Sequence, residues 1–140
     1  MVSEGSAQRP AHGDSTETAA PAVPQIAAFD AIPWTSLPDG VRRKVYFSDR
    51  MTLVLWEFTR TARQGDKVKL HSHPHEQITY IVSGKGMARV SDMGKAVSAG
   101  DILIVPGDVL HGVQALSDKL VFIDVFTPAR EDFRAPAPSK

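Results

Sequence analysis

His71-Ser72-His73-Pro74-His75-Glu76-Gln77 runs straight into Ile78-Thr79-Tyr80-Ile81-Val82-Ser83, and reading these two halves together decides both fold and site. The second half alternates and is rich in β-branched residues, which predicts a strand beginning near His73. Residues two apart on a strand share a face, so His71 and His73 form a bidentate imidazole clamp. Neutral imidazole donates well to divalent Zn, Ni, Fe, Co or Mn, and a strand holds two such donors at a fixed separation. One more residue of this run and one from far along the chain would complete a ligand shell.

Outward from this stretch, short β-like segments follow one another. Val41–Phe47 and Met51–Thr61 read as strands joined by Ser48-Asp49-Arg50. The second is apolar on both sides, which predicts cover on both faces, one by a barrel interior and the other by a second sheet or subunit. Ser83-Gly84-Lys85-Gly86 reads as a tight turn, and Met87–Ser91 and Lys95–Ser98 as a hairpin around Asp92-Met93-Gly94. Ile102–Val105, Leu110–Leu116 and Leu120–Phe126 complete the set, separated by glycine and proline. Strands of this length and spacing, with no helix beyond a turn or two, predict an all-β sandwich or barrel.

The chain has 140 residues, which fits one domain with tails. Residues 1–28, rich in Ala and Pro, are expected to form a flexible arm in which His12 has no role; 29–134 form the barrel and 135–140 a tail. Sixteen basic and sixteen acidic side chains cancel, so no overall field attracts nucleic acid or an anionic membrane, and affinity for an anion must be local. There is no cysteine, which removes disulfides, thiolate ligands and thiol nucleophiles. No apolar run is long enough to span a membrane, and residues 1–28 lack the pattern of a secretory signal, so the expected location is cytoplasmic.

Gly65, five residues, His71-x-His73, three residues, Gln77, six residues and Gly84 resemble the first motif of the cupin superfamily, with Gln77 where the family usually has Glu. Gly100, five residues, Pro106 and His111 resemble the second, although Asp108 and Ala115 replace its usual glycine and asparagine. The resemblance implies a cupin-type double-stranded β-helix, or jelly-roll barrel. It also implies one divalent transition metal per chain, held by His71, His73, Gln77 and His111. Three imidazoles and one oxygen leave positions open for substrate or water on a metal that takes five or six ligands. A neutral amide in place of Glu leaves the double positive charge uncancelled and favours an anionic ligand. Glu76 is an alternative ligand, though it should face opposite to Gln77, and His75 belongs at the rim.

Asp124 interrupts the apolar closing strand Val121–Phe126, and a buried carboxylate requires a partner. An ion pair with Arg60 or Arg89 is one reading. The other comes from a second resemblance: His-Pro-His-Glu-Gln with Ile-Thr-Tyr, Asp124-x-Phe126 and Arg130 are similar to the pectin-degradation branch of small cupins, which open unsaturated uronate rings. That resemblance implies a 4,5-unsaturated monouronate as substrate. It makes Asp124 the general acid/base, Arg130 the partner of the carboxylate and Phe126 a wall that excludes water. Tyr80 is a candidate hydroxyl behind the ligands, although an ordinary half-buried tyrosine is the stronger reading.

Three alternatives stay open: a dioxygenase, a polyketide cyclase on the same three-His set with glutamine, and a non-catalytic cupin that only binds a small anion. A small anionic or carbonyl/enol substrate suits them all. A homodimer is expected, paired through Val54, Trp56 and Phe58, with the N-terminal arm lying across the partner.

Overall fold

The computed structural model describes residues 23–59, 63 and 65–134; most of the expected arm and all of residues 135–140 lie outside them. Among the described residues a 3-10 turn, Phe29–Ala31, precedes nine strands: β1 Thr35–Leu37, β2 Val41–Phe47, β3 Thr52–Thr59, β4 Glu76–Ser83, β5 Lys85–Val90, β6 Met93–Ser98, β7 Ile102–Val105, β8 His111–Ala115 and β9 Lys119–Thr127. A one-turn helix, α1 Glu131–Arg134, follows them. Every pairing is antiparallel, in one six-stranded sheet ordered β1-β2-β3-β9-β4-β7 and one three-stranded sheet ordered β6-β5-β8. The all-β jelly-roll expectation holds.

Register determines what faces inward, because directly paired residues share a side of the sheet. Across the large sheet, Gln77 pairs with Phe126 and Val105, Thr79 with Asp124 and Leu103, Val54 with Asp124, and Trp56 with Phe122. These residues form the inner face. Ile81, Leu103, Val105, Leu120 and Phe122 meet Ala88, Val97 and Ala115 of the small sheet in one apolar core. Each large aliphatic or aromatic side chain buried there contributes about 1.5–3 kcal/mol.

This register corrects the expected dimer face. Val54 is fully buried, and Trp56 and Phe58 pack inward on Phe122 at ring separations of 6.3 and 5.0 Å. A group of exposed apolar side chains instead shares the outer face of β4 and β7: Ile78, Tyr80, Val82, Ile102 and Ile104. Tyr80, with 49% of its surface exposed, therefore points away from the ligands and is not a hydroxyl behind them.

The histidine run also differs from expectation. The strand begins at Glu76 rather than near His73, since Pro74 has no N–H to give a ladder. An isolated bridge holds the run in its place: His71 N donates to His111 O and His111 N to His71 O, both at 2.9 Å. Next to it, a Cβ on Gly112 would lie 2.1 Å from Lys69 O, so only glycine lets the two segments close. Asp108 N donates to His73 O at 2.7 Å from a left-handed backbone (φ 68°), the conformation that explains why glycine is the usual residue there and why aspartate can substitute. The β5–β6 turn lies at Ser91-Asp92, with Met93 and Gly94 already in β6.

Candidate metal centre

His71 and His73 come from the bridged run and His111 from the first residue of β8; one ligand atom from each lies within 4.8 Å of the others. Burial, with the proximity of the other imidazoles and of Arg130, lowers the pKa of all three, that of His71 to about 4, so near neutral pH they carry lone pairs and no charge. Backbone carbonyls then select the tautomers. His73 Nδ1 lies 3.1 Å from His75 O and His111 Nδ1 lies 2.8 Å from Val109 O. A carbonyl only accepts, so each Nδ1 carries the hydrogen and each Nε2 is a bare lone pair.

Gln77 is oriented in the same manner. Its Nε2 donates to Thr79 Oγ1 at 2.9 Å and to Asp124 Oδ1 at 3.2 Å, which turns Oε1 toward the histidines, 3.0 Å from His73 Nε2. Two acceptors with no hydrogen between them face each other at that distance. This is the separation of two neighbouring donors each about 2.1 Å from one ion at a right angle. His111 Nε2 is likewise buried with no hydrogen-bond partner among the described residues. The lone pairs of His73, His111 and Gln77, with His71 on the open side, suit a divalent transition metal. Glu76 is exposed and lies opposite buried Gln77, so it does not join the shell.

Asp124 connects these ligands to the cavity. Its Oδ2 accepts from Trp56 Nε1 at 2.9 Å, while Oδ1 accepts from Gln77 and from the Thr79 hydroxyl. All three donors are neutral. The expected alternative of an ion pair with Arg89 does not hold, since Arg89 Nε donates to Ser91 O; Arg60 lies outside the described residues. Burial pushes the Asp124 carboxyl up to about 7, against the downward pull of Thr79, Trp56, Arg130 and Gln77. It is thus poised to hold or release a proton near neutral pH.

A cavity of about 860 Å³ opens beside His71, His111 and Gln77, and its lining includes Asp124, Phe126 and Arg130. Phe126 is fully buried and its ring lies 5.4 Å from that of His73. The Arg130 guanidinium lies 4.7 Å from the centre of the Phe126 ring and 4.0 Å from that of Phe133, which α1 supplies. Its Nε and Nη2 donate to the two oxygens of Asp132 at 3.0 and 2.8 Å. The structure thus brings His71, His73, Gln77, His111, Asp124, Phe126 and Arg130 together, and leaves Tyr80 and Glu76 on the outer face. Thr79, Trp56, Asp132 and Phe133 were not anticipated; only Thr79 had a signal, its period-two spacing from Gln77.

Among the described residues, no helix is long and apolar enough to cross a membrane. Residues 58–126 match the family model described as "Cupin domain". The chain is 32% identical over 106 residues to the pectin degradation protein KdgF of Dickeya dadantii, covering 74% of this chain and 93% of that one. The solved structure of KdgF from Halomonas sp. superposes with a TM-score of 0.70 at 26% identity, over 79% of this chain and 99% of that one. An RmlC-like cupin from Shewanella frigidimarina gives a TM-score of 0.69 at 28% identity, over 80% and 97%. With the two-sheet barrel, the converging imidazoles and these relatives in agreement, the chain belongs to the cupin family.

Proposed function

We propose that this cupin is a metal-dependent enzyme that opens 4,5-unsaturated monouronates to their linear keto form. The observation that carries the reading is Asp124: a buried carboxyl, hydrogen-bonded to the candidate ligand Gln77 and lining the same cavity as His71 and His111. The similarity to a protein named for pectin degradation supports the substrate class. A divalent Zn, Ni, Fe, Co or Mn ion held by His71, His73, Gln77 and His111 would supply a Lewis acid for oxygens of the sugar.

The substrate is a cyclic enol ether with a hydroxyl on the anomeric carbon and one carboxylate. Asp124 takes the proton of the anomeric hydroxyl, the bond from the anomeric carbon to the ring oxygen breaks, and an aldehyde and an enolate result. A proton returned to C4 converts the enolate into a ketone. The proton lost at oxygen is regained at carbon, so the reaction is an isomerisation. A buried carboxyl held only by neutral donors can take the first proton and return the second. Trp56 and Thr79 orient it, Phe126 keeps water from the enolate, and the positive charge of Arg130 draws in the carboxylate. The test is the ultraviolet absorbance of unsaturated galacturonate. Metal-loaded protein is expected to accelerate its loss well beyond the spontaneous rate; decay at the spontaneous rate, or oxygen uptake coupled to turnover, would overturn the reading.

A further inference from the structure

We infer that Arg43, rather than Arg130, grips the carboxylate of the substrate. Two adjacent arginines on β2 have opposite fates. Arg42 points outward, to an ion pair with Glu57 and a stack on Trp34 at 4.0 Å. Arg43, in register with Trp56, points inward and lines the cavity. Its guanidinium stands 4.1 Å from the Phe133 ring centre and 5.4 Å from that of Trp56. Among the described residues it has no ion pair and no side-chain hydrogen bond, although it is partly buried.

Arg130 reaches the same ring, 4.0 Å from its centre, but both oxygens of Asp132 occupy its Nε–Nη2 edge. Burial lowers the pKa of Arg43, and so does the charge of Arg130, against the upward pull of Asp132. Arg130 is already compensated and acts as a fixed charge next to the histidines. Among the described residues Arg43 has its donors free and it is partly buried, and a planar carboxylate entering the cavity beside Phe133 and Trp56 supplies the partner it lacks. Phe133 and Trp56 meet edge to face at 6.2 Å and pack beside the guanidinium, whose hydrogen-bonding edge is left to the cavity.

This assignment rests on the reading of the site as one for uronates, and its test separates the two. D-galacturonate and its methyl ester are titrated calorimetrically into the metal-loaded full chain, with Arg43→Met and Arg43→Lys as variants. Wild type is expected to prefer the acid by roughly 10- to 100-fold. Arg43→Met removes most of that preference, leaving the share due to Arg130 and the metal, and Arg43→Lys keeps more of it, having charge without the fork. Thermal melts identify a variant that fails to fold, and Arg43→Lys decides if Arg43→Met is lost. Preference within twofold of wild type in the folded variants overturns the assignment, as does a wild type with no preference or no measurable binding. An Arg43-dependent preference in a protein that leaves unsaturated galacturonate at its spontaneous rate upholds Arg43 and rejects the uronate isomerase. A turnover-competent enzyme whose KM is unmoved by Arg43→Met does the reverse.

Discussion

Replacing Asp124 with Asn separates the electrostatic cost of this residue from its chemistry. The carboxyl is 5% exposed, and its rise from 3.8 to about 7 costs about 1.36 kcal/mol per pH unit, or about 4 kcal/mol for the ionised folded form. Between these values the unfolded chain has released the proton that the folded chain still holds, so stability falls as pH rises through this window and levels off above 7. Asn resembles the protonated carboxyl in shape and has no charge to lose. At pH 4 the two proteins should agree within about 1 kcal/mol, the worth of one remade hydrogen bond. At pH 8 the variant should be more stable by about 2–4 kcal/mol, or roughly 10 °C in Tm. The lowered histidine pKa values impose an opposite slope, with stability gained as pH rises towards 6.5, but both proteins share it and it cancels in the difference. The measurement is urea unfolding of chelator-stripped protein from pH 4 to pH 8, because a bound cation would itself favour the ionised form. Turnover of unsaturated galacturonate should fall by about 100-fold or more. A stability difference that does not change with pH, or a wild type that is the more stable at pH 8, would refute the burial argument.

Gln77→Ala should lower metal occupancy, read by elemental analysis after dialysis, more than His75→Ala does, since Gln77 presents an oxygen and the His75 backbone carbonyl survives the substitution. Glu57 is buried between Arg42 and Lys119, whose hydrogen bonds hold its carboxyl below 4.5; Glu57→Gln should cost about 1–2 kcal/mol at pH 7. That cost should fade in denaturant titrations as pH drops below 4.5 and the wild-type group takes up its proton. We propose that two copies pair through the outer face of β4 and β7, where Ile104 is 53% exposed and Ile102 60%. Light scattering should then return twice the chain mass for wild type and the single mass for Ile104→Glu; equal masses remove the face from any dimer.

The sequence carries what residue spacing and its resemblance to the two cupin motifs imply. His71, His73 and His111 were placed together by two motifs, and Asp124 by its position in an apolar strand. What could not be read depended on register. Strand β3 is apolar on both sides, so nothing local says that Val54 and Trp56 face in; their pairing with Asp124 and Phe122 of a distant strand decides it. Parity decides between the two readings of Tyr80, which lies one residue from inward-facing Thr79 and thus on the outer face. The role expected of Arg130 depends on α1, whose single turn brings Asp132 back onto the guanidinium. The direction of Arg43 likewise became visible only once β2 was aligned with β3.

The account depends most on the convergence of four side chains on one ion, and anomalous scattering from crystals of the metal-loaded chain tests it most directly. One strong peak about 2.1 Å from imidazole nitrogens of His71, His73 and His111 and from Gln77 Oε1 is the expected result. A peak held by His75 or Glu76 instead, or none within bonding distance of His111, would contradict it.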